Sequence, residues 1–212
     1  MITTTSPLLP RLYSQNSQGT MSFMQELASW MSPSSLTLSS PPKVGDAAPS
    51  TDQLAFPRDG KPAVIAFLRH CGCPFAEKTF LTLRDAASKH PEIAFIAVSH
   101  SSVSHTQKWL SEVGGPGDKN PVQVIANEER DVYAKWGLGA SSFWHVLSPW
   151  ALSDVFKLSR EEGIANRPTE SGNRWQTSGA WALDGKGKVT WGGPATTASE
   201  IPDVEKAIET LK

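Results

Sequence analysis

Pro62–Leu83 reads PAVIAFLRHCGCPFAEKTFLTL, an apolar run that ends in both cysteines of the chain and gives way at once to helical spacing. Val64, Ile65, Phe67 and Leu68 are β-branched, aromatic or aliphatic without interruption, the pattern of a strand buried on both faces of a parallel sheet. Phe75, Ala76, Thr79, Phe80, Leu83, Ala86 and Ala87 then recur three and four apart, which predicts a helix. Pro74 suits a first helical turn, so Cys73 is expected at or beside the N-cap. Unsatisfied N–H groups and the positive end of the helix dipole favour an anion at that place. Cys73 is therefore expected to ionise more readily than an ordinary thiol, and the thiolate is the reactive form of cysteine.

Arg69 and His70 are expected to add positive charge there, although side chains alternate along a strand and only one of the two can readily face the thiols. A buried cysteine is more often a small core hydrophobe. Two cysteines at one strand-to-helix junction favour chemistry instead. The spacing Cys71-Gly72-Cys73 is tighter than a CxxC redox or zinc half-site, but its glycine permits a strained, easily reduced disulfide.

The 212 residues suffice for one α/β domain with an appendage. Twenty basic and 21 acidic residues leave a formal charge of −1, without the field that attracts nucleic acid or an anionic membrane. Two clustered cysteines are no secreted disulfide framework, and the chain has neither an apolar signal core nor a membrane-length apolar window. A reducing, cytoplasmic setting is expected.

Residues 1–42 are rich in Ser, Thr and Pro, the composition of a loose extension, with an amphipathic stripe of Phe23, Met24, Leu27, Trp30 and Met31. The domain is expected over 43–212. It predicts strands near 53–56, 93–98 and 122–126, and helices over 104–113, 128–136 and 199–211. Alternating strands and helices imply parallel crossovers, with ligands at the carboxyl ends of the strands. His70, Cys71, Cys73, Ser99 and His100 all fall at those ends. They do not suit a metal, since three adjacent ligands would crowd a tetrahedral ion, and neither metal nor cofactor is expected.

Residues 141–163 form an apolar helical insertion with Phe143, Trp144 and Trp150, read either as a dimer or packing face or as an aromatic wall over the cysteine pocket. Asn173–Ser178 returns the chain to the strand beside the cysteine-bearing one. Trp144, Arg174, Trp175, Thr177 and Ser178 join Thr79, Ser99 and His100 as expected substrate contacts, around the catalytic candidates Cys73, Cys71, His70 and Arg69.

KVGDAAP at 43–49, GKPAVIAFLRHCGCPF at 60–75, IAFIAVS at 93–99, VIANEERDVYAKWGLG at 124–139 and GAWALDGKGKVTW at 179–191 occur in this order. Together they resemble the thioredoxin-like superfamily, and within it the peroxiredoxin-like branch of alkyl hydroperoxide reductase/thiol-specific antioxidant (AhpC/TSA) domains. The resemblance implies an α/β thioredoxin-like (peroxiredoxin-like) fold: a central five-stranded mixed sheet flanked by helices. It implies the order 122–126, 93–98, 64–69, 179–184, 188–192, the last two strands antiparallel to the rest. Divergent members carry Cys-Pro-x-Cys where this chain has Cys73-Pro74-Phe75-Ala76. Typical peroxiredoxins carry Pro, Thr and Arg where this chain has Ala66, His70 and Ser178, and Arg174 is a candidate for the guanidinium missing at Ser178.

The resulting expectation is a thiol-dependent antioxidant oxidoreductase in which Cys73 attacks a peroxide or a disulfide. Cys71 then resolves it, or glutathione, thioredoxin or a second subunit of a homodimer regenerates it. A second reading is non-peroxidase chemistry on a bulky aromatic or apolar small molecule, suggested by eight tryptophans. A third is a non-catalytic, redox-responsive binding module.

Overall fold

A computed structural model describes residues 36–140, 158–168 and 171–212. The apolar run of the opening motif becomes β1 (Ala63–Phe67), buried at every position, and it is the middle strand of a five-stranded sheet. Its uninterrupted apolar character follows from that place. Val64 and Ala66 enter the core on one face, and Ile65 and Phe67 enter the core on the other.

On one side β1 pairs in parallel with β2 (Ala94–Ser99), Ile65 opposite Ile96, and β2 pairs in parallel with β3 (Gln123–Ala126). On the other side β4 (Gly179–Leu183) runs antiparallel to β1, Ile65 opposite Trp181, and β5 (Val189–Pro194) runs antiparallel to β4. The strand order is the expected one, but the expected direction of the last strand is not. One hairpin reverses the chain once, so only β4 opposes the others and β5 runs with β1.

α1 (Pro74–Lys89) and α4 (Val204–Glu209) bury their apolar residues against the face holding Val64 and Ala66. α2 (Val103–Glu112) adds Trp109 to the same core, edge-on to Phe80 at 5.2 Å. α3 (Asp131–Lys135) supplies the other face, where Phe67, Tyr133, Trp136 and Trp181 form one aromatic cluster.

Several boundaries differ from the sequence reading for local reasons. The strand expected near 53–56 is a bent loop, with Ser50 Oγ accepting from the Phe56 amide. α3 starts at Asp131, because Arg130 adopts a left-handed backbone with φ of 61° and ends any continuation towards Glu128. α4 begins only after Pro202, capped by Asp203 Oδ1 accepting from the Lys206 amide. Of the 141–163 insertion, 141–157 lies outside the described residues, as do the 21–31 stripe and Trp144. Positions 158–162 are helical, and Leu158 packs against the α1-side core.

Tyr133 ties this framework to the site. Its hydroxyl lies 2.8 Å from the Leu68 carbonyl and 2.6 Å from the Val98 carbonyl, fastening the carboxyl ends of β1 and β2 from below. Tyr133→Phe removes the donor and leaves buried carbonyls short of a partner, so a loss of about 1–2 kcal/mol is expected. Urea denaturation reads this directly, and an unchanged midpoint would show that the fastening adds nothing.

Candidate functional site

The end of β1 delivers Arg69, His70, Cys71 and Cys73 to one turn. Cys73 is the N-cap of α1 and Pro74 is its first residue, as the sequence predicts. The cap makes no side-chain hydrogen bond to the helix, with φ of −83° and ψ of 125°, so the sulfur is directed elsewhere. It accepts from Arg69 Nη1 at 3.7 Å. Arg69 also donates to the Ala198 carbonyl at 3.5 Å and the Arg174 carbonyl at 2.7 Å. Both residues are buried, Cys73 at 4% exposure and Arg69 at 7%.

Among the described residues Arg69 has no carboxylate partner. A buried cation without a counterion is costly. The ionisable group within its reach is the Cys73 thiol. Of the two basic neighbours, Arg69 is the one in contact with the sulfur. His70 is fully buried, and desolvation, reinforced by Arg69, Arg174 and His100, holds it well below its ordinary value. It is a neutral imidazole at pH 7 and not the second cation the sequence suggested. The guanidinium beside the sulfur is also that of Arg69, not Arg174, whose part is the backbone carbonyl that holds Arg69 in place.

Cys71 has a different environment. Its half-buried sulfur lies 3.6 Å from Ser99 Oγ and 4.0 Å from Thr106 Oγ1, and those hydroxyls are 3.0 Å apart. The two cysteines are both free thiols, one facing a guanidinium and the other a hydroxyl pair. The turn between them is held from outside by the Arg167 amide donating to the Gly72 carbonyl at 3.0 Å. Arg167 itself forks onto buried Glu77 at 3.0 and 3.3 Å.

The returning loop closes the site. His100 is buried, its Nε2 3.0 Å from the Asn173 carbonyl, and burial lowers its pKa to about 4. Ser101 Oγ donates to the Ser171 carbonyl at 3.0 Å, and the Trp175 amide donates to Asn173 Oδ1 at 2.8 Å. Thr177 turns away, its hydroxyl donating to the Gly139 carbonyl at 2.9 Å. Ser178 and Thr79 line a recess that Arg69 also lines. Ser99, expected as a substrate contact, spends its hydroxyl on Thr106 and the Ser101 amide.

Residues not singled out in the sequence also shape the site: Ala198, whose carbonyl fixes Arg69; the Glu77–Arg167 pair; and Trp191, on the recess wall. They come from α1, the 163–168 loop, β5 and the 195–202 loop, brought together by the fold with no local signature. Among the described residues no group of three or more His, Cys, Asp or Glu could hold a metal, and no helix is long and apolar enough to cross a membrane.

The sequence model described as "AhpC/TSA antioxidant enzyme" matches residues 81–196. Among solved structures, a thiol peroxidase from Chromobacterium violaceum aligns at 16% identity with a TM-score of 0.52, covering 82% of this chain and 90% of that one. A peroxiredoxin-like protein from Aquifex aeolicus aligns at 17% identity and 0.51, covering 81% and 89%. Peroxidoxin BcpB from Mycobacterium tuberculosis aligns at 16% identity and 0.50, covering 80% and 96%. At such identities the likeness is one of fold, the thioredoxin-like fold of peroxiredoxins. No curated protein matches the sequence.

Proposed function

This chain belongs to the AhpC/TSA antioxidant enzyme family, and we propose that it is a thiol peroxidase in which the Cys73 thiolate reduces hydroperoxides. The observation that carries this reading is the buried Arg69 guanidinium, without a carboxylate among the described residues and donating to Cys73 Sγ at the amino end of α1. The sulfur therefore meets the guanidinium at the amino end of the helix. The same guanidinium is placed to stabilise the oxyanion that develops when the O–O bond breaks.

In the step proposed, Cys73 Sγ attacks the terminal oxygen of ROOH. An S–O bond forms, the O–O bond breaks, sulfur is oxidised to sulfenic acid, and the alkoxide leaves and takes a proton to become ROH. Two equivalents of a small thiol, or one dithiol such as reduced thioredoxin, return Cys73 to the thiol and release water and a disulfide. Glutathione and thioredoxin are the reductants we expect, in a cytoplasmic setting. Cys71 faces the Ser99 and Thr106 hydroxyls, so it resolves the sulfenic acid only if the 70–73 turn rearranges.

Intact-mass analysis of reduced protein after a brief exposure to slight excess hydroperoxide tests the proposal. Gain of one oxygen trapped at Cys73, or loss of two hydrogens mapped to Cys71 and Cys73, is the expected result, and Cys71→Ser should retain the trapped sulfenic acid. Oxidation no faster than that of a free thiol, or confined to Cys71, would overturn it.

A further inference from the structure

The turn that carries both cysteines is fastened at three backbone points. The Cys73 amide donates to the His70 carbonyl at 2.9 Å within the turn, and the Cys71 amide donates to Ser101 Oγ at 3.3 Å. The Gly72 carbonyl, between them, accepts from the Arg167 amide at 3.0 Å. So held, the sulfurs have different neighbours: Cys73 Sγ meets Arg69 Nη1 at 3.7 Å, and Cys71 Sγ meets Ser99 Oγ at 3.6 Å. A disulfide needs sulfurs about 2 Å apart and a fixed dihedral between their Cβ atoms. Closing one here requires the Gly72 peptide to turn, and its carbonyl is the group that Arg167 holds.

Arg167 is itself anchored. Its Nε donates to Glu77 Oε2 at 3.0 Å and its Nη2 to Glu77 Oε1 at 3.3 Å, a two-pronged ion pair, while Nη1 donates to Glu112 Oε2 at 3.4 Å. Glu77 lies in the first turn of α1, the helix that Cys73 caps, and its side chain is 10% exposed. Glu112 is the last residue of α2. One residue thus ties the middle of the Cys71-Gly72-Cys73 turn to two helices. A hollow of about 300 Å³, lined by Cys71, Gly72, Trp109 and Arg167, borders the turn on that side, so the turn has space to move once the tie is loosened.

We propose that Arg167 is a positioning residue that keeps the two thiols apart, so that a sulfenic acid on Cys73 is left to an external thiol, and that loosening the Arg167–Glu77 fork turns it over to Cys71. The inference rests on the peroxidase reading and adds what decides how the oxidised sulfur is resolved. In the step that the fork restrains, Cys71 Sγ attacks the sulfur of the Cys73 sulfenic acid. An S–S bond forms, the S–O bond breaks, and the hydroxyl leaves with the Cys71 proton as water.

The test follows closure of the Cys71–Cys73 disulfide by quenched mass spectrometry in the wild type, Arg167→Gln and Glu77→Gln. Two oxidants drive it. Diamide, an azodicarboxamide, adds to one thiol through nitrogen, and the other sulfur then displaces the hydrazine, so that an S–S bond replaces the S–N bond. Hydroperoxide instead gives the Cys73 sulfenic acid, whose lifetime is read directly. Closure at least about tenfold faster in both variants is expected, the effect of losing a charge-assisted fork that the turn must otherwise break. Arg167→Lys should fall in between, since an ammonium cannot fork. Val204→Ala, which loosens the core from α4 without touching the turn, should leave closure unchanged. Closure no faster in the fork variants than in the wild type, or equally fast in Val204→Ala, would overturn the proposal. Faster closure with diamide but no sulfenic acid with hydroperoxide would support the proposal and overturn the peroxidase reading. A Cys73 sulfenic acid whose lifetime neither fork variant shortens would do the reverse. Glu77→Gln, which leaves no buried carboxylate without its partner, serves if Arg167→Gln fails to fold.

Discussion

Arg69→Met is expected to slow the reaction of Cys73 with hydroperoxide by about 10²–10³-fold, the cost of removing one donor from a developing oxyanion, while the folded protein loses little or no stability. The two halves of this expectation share one cause. Arg69 is 7% exposed and makes no ion pair with a carboxylate among the described residues. A fold selected for stability alone would not retain a buried cation whose partners are two carbonyls and a thiol, since apolar replacements of similar size in such places are often neutral or stabilising. Methionine fills most of the volume, removes the buried charge and leaves the Arg174 and Ala198 carbonyls without that donor.

Arg69→Lys keeps the charge but loses the fork that holds sulfur and carbonyl together, so only part of the rate should return. Stopped-flow tryptophan fluorescence supplies the rate and thermal melting the stability. A wild-type rate in Arg69→Met would remove the central support for Cys73 chemistry. A large loss of stability at full rate would make Arg69 a structural residue.

The contrast between Arg69 and His70 also shows how far a sequence can be read. The strand, the proline-started helix and Cys73 at its N-cap were legible because each has a local cause: an apolar run, a fixed φ, a period of 3.6. Strand order followed from the resemblance to the AhpC/TSA branch and not from any local signal. Which of two adjacent basic residues faces the sulfur was not legible, because it depends on the carbonyls of Arg174 and Ala198, more than a hundred positions away. Whether His70 carries charge depends on burial, which the letters do not state. The recess beside Arg69 was missed for a related reason. Its lining comes from β1, α1, β4, β5 and the 195–202 loop, which only the pairing of the strands brings together. Trp191 is one of eight tryptophans and carries no local mark of the pocket it lines, and Trp144, an expected substrate contact, lies outside the described residues.

The buried histidines lead to the other large effect expected, a loss of stability on mild acidification. His100 is held down to about 4 by burial, and His70 is lowered in the same direction for the same main reason. In the unfolded chain both take up protons near pH 6.5. Between about pH 6.5 and 4 the unfolded state therefore binds more protons than the folded one, and stability must fall as pH falls. The stabilising contribution is fully present above the unfolded value and is lost on the way down to the folded one. For His100 alone the shift from 6.5 to about 4 corresponds to roughly 3 kcal/mol.

His70 adds to the same window, and its protonation would place a further cation beside Arg69 and Arg174. Urea denaturation at intervals from pH 7.5 to 4.5 measures the slope, and His100→Gln, which keeps a donor for the Asn173 carbonyl but cannot take up a proton, should flatten it. An unchanged slope in that variant would exclude His100 as its source. The loop that His100 holds also carries the Arg174 carbonyl that positions Arg69. Peroxide reactivity should therefore fall within the same pH window, before the protein unfolds as a whole.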